Sequence, residues 1–190
     1  MPTFLARGAY ADVFDIGDGT VAKVFRRTLH THSPVVDWDD HDFLTRRLFA
    51  TERAAYERLH SLPNLSTHIP QYFGVIDEST FNSFPSSSGE SFVAGCALRL
   101  ERIPGRDIKI AFVPAPIQQS IEALLEGIRD ACRDINVWDC SCFIPGPRSA
   151  FVVIDFAYWE GLSDVQVYLD EHKHLPEALR KKLSVGPQAC

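Results

Sequence analysis

Five side chains in this sequence have types and spacings that could do chemistry together. Lys23 lies within TVAKVF, Glu52 within LFATERAAYERL, Asp134 and Asp139 within CRDINVWD, and Asp155 within VVIDFA. A lysine set among apolar strand residues requires a partner, because an unpaired buried ammonium is costly. Glu52, on the helix that follows, is the natural candidate, and Glu57 is the second choice. The three aspartates are oxygen donors of the kind that ligate magnesium or accept a hydroxyl proton. The stretch CRDINVWD is open to three readings: the catalytic loop of a phosphoryl-transfer enzyme, a degraded copy of one, or a polar turn after a helix. The choice depends on the elements that surround it.

Those elements can be read from periodicity and turn chemistry. The first 27 residues alternate in the strand manner through FLARG, ADVFDI and TVAKVFRR, with Gly-Asp-Gly as a hairpin turn between the last two. Residues 28–42 lose that alternation and read as a polar connection; their histidines lack ligand-type spacing. From Phe43 to Leu62 the apolar residues Phe43, Leu48, Ala55, Tyr56 and Leu59 recur at helical steps, and Pro63 closes the run. IPQYFGVID and VAGCALRLERI follow as strands, separated by a serine-rich segment (78–91) expected to be a mobile loop. After Pro114 and Pro116, IQQSIEALLEGIRDA reads as a helix with Ile117, Ile121, Leu124, Leu125 and Ile128 inward. It runs directly into CRDINVWD. CSCFI and SAFVVIDF then form a short hairpin around PGPR, and residues 159–190 hold one or two modest helical stretches.

Bulk properties narrow the class. With 190 residues, 45% of them hydrophobic, the chain can bury a real core. The 25 acidic against 19 basic residues, a net charge of −6, argue against a nucleic-acid binder. No apolar run of membrane-spanning length occurs and the amino terminus lacks a secretory pattern, so the expected setting is intracellular, with no membrane partner. Five cysteines without a CxxC pair favour neither a disulfide framework nor a zinc site; the Cys140 and Cys142 pair reads as buried small side chains.

Taken in order, these pieces resemble the protein kinase-like fold, and in particular its short, divergent members, over residues 4–158. ARGAYADVF is similar to the glycine-rich loop G-x-G-x-x-G-x-V, with Ala6, Gly8 and Ala11 at the three glycine positions and Val13 at the valine. Lys23 matches the lysine of the third strand, which Glu52 would orient toward the nucleotide's α- and β-phosphates. LRLERIPG resembles the segment joining two lobes, so Glu101, Arg102 and Ile103 would offer main-chain groups to an adenine packed between Val13 and Ala22. In CRDINVWD, set against H-R-D-L-x-x-x-N, Cys132 replaces the histidine, Asp134 matches the catalytic base, and Asp139 stands where asparagine would ligate magnesium. IDFA matches D-F-G, with Asp155 as magnesium ligand, Phe156 as packing residue and Ala157 for glycine.

The resemblance implies an α+β, two-lobed protein. Residues 1–103 would form an N-lobe, an antiparallel five-stranded sheet plus one helix, and residues 104–190 a truncated, mainly helical C-lobe. It implies ATP and magnesium bound between the lobes and transfer of the γ-phosphate to a protein or small-molecule acceptor. The alternative is a pseudokinase-like interaction module without transfer, since the loop glycines, the histidine and the asparagine are altered. Replacing Lys23 by Met is expected to weaken nucleotide binding more than folding.

Overall fold

The Gly-Asp-Gly turn does what its composition requires. β1 (Thr3–Arg7), β2 (Ala11–Gly17) and β3 (Thr20–Arg26) form an antiparallel meander. At its second turn Asp18 and Gly19 take φ of 54° and 76°. Positive φ at both central residues matches the twist of the flanking strands, which is why Asp-Gly is favoured there. The computed structural model describes residues 1–8, 10–27, 38–85, 92–105, 114–135, 143–144 and 151–156, with the backbone alone for 38–44, 78, 143 and 144.

β4 (Tyr72–Val75) and β5 (Phe92–Glu101) complete a five-stranded antiparallel sheet of order β1-β2-β3-β5-β4. The protein is thus α+β. β5 joins the sheet beside β3, with Lys23 opposite Leu98, and bulges where partners jump from Val24↔Ala97 to Arg26↔Phe92. Gly95, with φ of 77°, absorbs that bulge.

Side chains alternate across β3. Val21 and Phe25 enter the main core with Leu98 and Leu100, while Ala22 and Val24 enter a second cluster with Phe14, Ile76, Phe84 and Ala97. Lys23 shares the first face. α1 (Trp38–His60) covers that face with a stripe in which Thr45, Leu48, Glu52, Ala55, Tyr56 and Leu59 are all at most 4% exposed. The helix begins five residues before the expected Phe43. Its polar start, WDDHD, reads as a connection by hydropathy, yet acidic residues are favoured at a helix N-terminus. The second face is covered in part by the segment expected to be a mobile loop. There α3 (Glu78–Phe81) forms, Asp77 accepts from the Thr80 amide at 2.9 Å, and Phe84 is buried against Phe14 at 5.1 Å between ring centroids.

The short α2 (Pro63–Ser66) leads from α1 toward β4. α4 (Ala115–Ala131) buries Ile121, Leu124, Leu125 and Ile128 as expected, but Ile117, at 45%, is exposed, because it lies in the first turn before the helix reaches the core. A 3-10 turn (Arg133–Ile135) follows, then β6 (Phe143–Ile144) paired with β7 (Val152–Val153), the expected short hairpin. The main cluster runs continuously from Phe25 and Leu98 through Ile128 to Val153 and Phe156, across the division expected at 103/104. Ala157, the helical stretches expected in 159–190 and most of the expected C-lobe lie outside the described residues.

Two glycines test this account of the backbone. Gly95→Ala is strained by its positive φ and should cost about 1–2 kcal/mol. Gly127 lies inside α4, where an added Cβ meets only Leu65 Cδ2 at 3.7 Å, so Gly127→Ala should stabilise by about 0.5–1 kcal/mol. Urea unfolding of the two variants should show opposite shifts.

Candidate functional site

Lys23 Nζ donates to Glu52 Oε1 at 2.7 Å and to Asp155 Oδ1 at 2.9 Å, joining groups 29 and 132 residues away in sequence. β3 delivers the lysine between Val21 and Phe25, and its Nζ lies 5.7 Å from the Phe25 ring centroid. Glu52 arrives in the buried stripe of α1; Glu57, the second candidate, is 48% exposed and paired with Arg53. Asp155 is placed by its neighbours. The Val153 amide donates to His68 O at 2.8 Å, and the Tyr56 hydroxyl donates to Ile154 O at 3.4 Å. Phe156 is fully buried and meets Tyr56 edge-on at 4.9 Å, while the other face of the arrangement stacks Tyr56 on Tyr72 at 5.9 Å. Because Tyr56 lies one turn beyond Glu52, a single helix face holds both the lysine's partner and the segment carrying Asp155.

The three charges sit in unequal surroundings. Glu52 is fully buried, Lys23 is 13% exposed and Asp155 is 40% exposed. Burial pushes the Glu52 carboxyl up to about 7, an effect that the Lys23 ammonium partly offsets. For Lys23, burial alone would favour loss of the proton, but the charges of Asp155 and Glu52 outweigh it and raise the ammonium's pKa. Among the described residues Glu52 Oε2 is buried without a hydrogen-bond partner, so this carboxylate depends on Lys23. An ammonium carries three donors, and among the described residues two of them are directed at carboxylates.

Asp134 is held differently. Both its oxygens accept from Arg58, Oδ1 at 3.1 Å and Oδ2 at 3.0 Å, and Arg58 also donates to Ala131 O at 3.0 Å. That bidentate bond holds the Asp134 carboxyl below its ordinary range. Cys132, two residues earlier, is buried, and desolvation pushes its thiol up to about 11, so it is an inert packing group. Asp139 lies outside the described residues.

The remaining expected binding residues are only partly arranged for that role. The Gly8 amide donates to Ala11 O at 2.8 Å and is thus spent within its own loop. Val13 packs against the main cluster on Lys23's side, but Ala22 lies in the second cluster, on the opposite face. The expectation for Ala22 is corrected by strand alternation: two residues before Lys23 comes Val21, which shares its face. Period two contained that signal. The amides of Glu101 and Arg102 donate to Gln71 O at 2.8 Å and Gly19 O at 2.9 Å. Ile103 is the member of this segment whose main chain no described hydrogen bond engages. Sequence patterning gives Arg58 and Arg26 no role and reads Tyr56 only as part of the apolar stripe, although its place one turn after Glu52 carries the signal.

Comparison of the chain with protein-family models, with curated proteins and with solved structures returned no match.

The burial of Glu52 alters the expectation for Lys23. Lys23→Met removes the donor of a buried carboxyl and should lower stability in chemical denaturation most clearly above pH 7, where Glu52 would otherwise carry its charge, whereas Lys23→Met with Glu52→Leu should recover most of that loss. Folding is therefore affected, beyond the weakened nucleotide binding expected from the sequence. Glu52 also predicts a pH dependence. Its carboxyl binds a proton more tightly folded, at about 7 against an ordinary 4.5, so its contribution is complete below pH 4.5 and is lost as pH rises through 7. The unfolding free energy should fall by up to about 3 kcal/mol over that window, and Glu52→Gln should flatten the fall.

Proposed function

We propose that the chain is a divergent kinase-like protein that binds ATP with magnesium and transfers the γ-phosphate to a protein or small-molecule acceptor. The observation that carries this reading is the Lys23 ammonium held at 2.7 and 2.9 Å by Glu52 and Asp155. A lysine so oriented offers its positive charge to polyphosphate oxygens. The strand order β1-β2-β3-β5-β4, with α1 laid across the Lys23 face, supports the same reading by supplying a lysine and a glutamate from adjacent layers.

Magnesium fits the donors present. It is a hard cation that keeps several waters and takes one or two carboxylates together with phosphate oxygens. Asp155, partly exposed beside Lys23, would hold it, with Asp139 as the further ligand expected from sequence. Among the described residues no cluster of three or more His, Cys, Asp or Glu side chains is set to hold a metal unaided, so phosphate oxygens would complete the shell. Bound there, magnesium would neutralise charge on the polyphosphate. Val13 and Val21 would line the base's side of the site, with Ile103 supplying main-chain groups. Asp134 would accept the acceptor's hydroxyl proton once freed from Arg58.

A second reading, an interaction module that binds nucleotide without transfer, is favoured by that same Arg58–Asp134 pair. A carboxylate with both oxygens bound to a guanidinium is a poor base. No helix among the described residues is long and apolar enough to cross a membrane.

Thermal unfolding with ATP separates the readings from an unrelated fold. Magnesium with ATP should raise the melting temperature in proportion to ligand excess, ATP without magnesium should do so much less, and Asp155→Asn should abolish the difference. Labelled γ-phosphate appearing on any acceptor or on water, and lost in Asp134→Asn, favours transfer; binding without release favours the module. Absence of any shift with millimolar-scale ATP sinks both.

A further inference from the structure

On the sheet face opposite Lys23, three charged side chains gather behind the β1–β2 loop. Asp12 and Arg26 are 1% and 0% exposed, and Arg7, at 39%, lies at the rim. Arg7 Nε and Nη2 each donate to Asp12 at 3.0 Å, and Arg26 Nε lies 3.3 Å from Asp12 Oδ1. Arg26 Nη2 then donates to the carbonyl of Gly8, at the loop itself. The arginine's backbone is engaged too. Its amide donates to Tyr10 O at 2.9 Å, and its carbonyl accepts from the buried Thr45 hydroxyl of α1 at 3.0 Å.

A buried charge cluster is a poor way to gain stability, because desolvation opposes the attraction. Its value here is geometric. A glycine-rich cover loop owes its close approach to phosphates to glycine, yet two of the three glycine positions are Ala6 and Ala11, and Ala11 is 2% exposed in the core. Here the Gly8 carbonyl accepts from the Arg26 guanidinium, whose Nε lies 3.3 Å from Asp12 Oδ1, beside the bond of the Gly8 amide to Ala11 O.

We propose that Arg26 is a positioning residue that holds the β1–β2 loop over the phosphates of a bound nucleotide, with Asp12 orienting its guanidinium. The inference rests on the nucleotide-binding reading above. Through Thr45, the same arginine ties the loop to α1, the helix that carries Glu52. The loop and the lysine's partner are therefore set by one rigid path, independent of glycine flexibility.

Arg26→Met alone leaves Asp12 buried with part of its pairing gone and can fail to fold. Arg26→Met with Asp12→Leu removes both charges and is the informative variant, since apolar replacement of a whole buried pair is tolerated. Two measurements on the full chain decide. Hydrogen exchange at the Gly8 amide should quicken in the double variant while β5 amides keep their protection. Affinity for ATP with magnesium should fall about tenfold, as expected if the loop is competent about one-tenth of the time, whereas adenosine, competed against the same fluorescent ATP analogue, should bind as to the parent. Unchanged Gly8 exchange, or equal weakening of ATP and adenosine, overturns the positioning role. If the parent itself binds no ATP, the nucleotide reading fails first and the role falls with it, an outcome distinct from a binding parent with an unaffected variant.

Discussion

The arrangement of this protein depends on one buried ammonium shared by two carboxylates. Lys23 on β3 meets Glu52 at 2.7 Å and Asp155 at 2.9 Å. Glu52 lies in the core, so withdrawal of α1 from the sheet would leave a carboxylate and an ammonium both short of partners, a large penalty in low dielectric. The pair therefore fixes which way α1 turns on the Lys23 face. Once α1 is fixed, Tyr56 one turn further on offers its ring to Phe156 and its hydroxyl to the Ile154 carbonyl, and the end of β7 is brought in with Asp155. Three segments far apart in sequence converge because each supplies what the others cannot bury alone.

The charge balance at this point has a direction. One ammonium faces two carboxylates, of which Glu52 is sealed in the core and Asp155 opens to solvent. Desolvation disfavours a full negative charge on Glu52, and its second oxygen has no hydrogen-bond donor among the described residues. The lysine is thus the group that makes the interior tolerable, and Asp155 is the carboxylate of the pair that reaches solvent. An approaching polyphosphate would find attraction from Lys23 and repulsion from Asp155, which a divalent cation at Asp155 would reverse. That asymmetry, rather than the number of acidic residues, is what the proposed magnesium dependence rests on.

Much of this geometry was legible in the sequence where local rules dominate. The Gly-Asp-Gly turn, the five strands and the long helices follow from turn chemistry and periodicity, and Lys23–Glu52 follows because Glu52 falls in the apolar stripe of α1 while Glu57 does not. Where tertiary context decides, local rules lose force. Ile117 has the helical spacing of its buried neighbours but precedes the point where α4 meets the core, and Phe84, in a serine-rich segment, is buried because the second face of the sheet needs a cover. The resemblance implies a place for Ala22 beside the base, but period-two alternation turns it to the face opposite Lys23. The capture of Asp134 by Arg58 joins residues 76 apart, and no spacing within either segment announces it.

Helix α1 is where these constraints meet. Thr45, Glu52 and Tyr56 lie on one inward stripe and touch, in turn, the backbone of Arg26, the ammonium of Lys23 and the segment around Asp155. Arg58, two residues beyond Tyr56, points some 200° around the helix and reaches Asp134 instead. A rotation or shift of α1 would thus alter the lysine's orientation and the aspartate's capture together. The inward contacts are buried and costly to break, while the Arg58–Asp134 pair, 42% and 66% exposed, is a surface ion pair of the kind that solvent and salt screen. The helix is thus anchored at its buried contacts with Arg26, Lys23 and Ile154 and lightly latched at its exposed one with Asp134. Under the kinase-like function proposed above, an acceptor carrying charge near its hydroxyl would release Asp134 by competing for Arg58, without disturbing the buried Lys23–Glu52 pair.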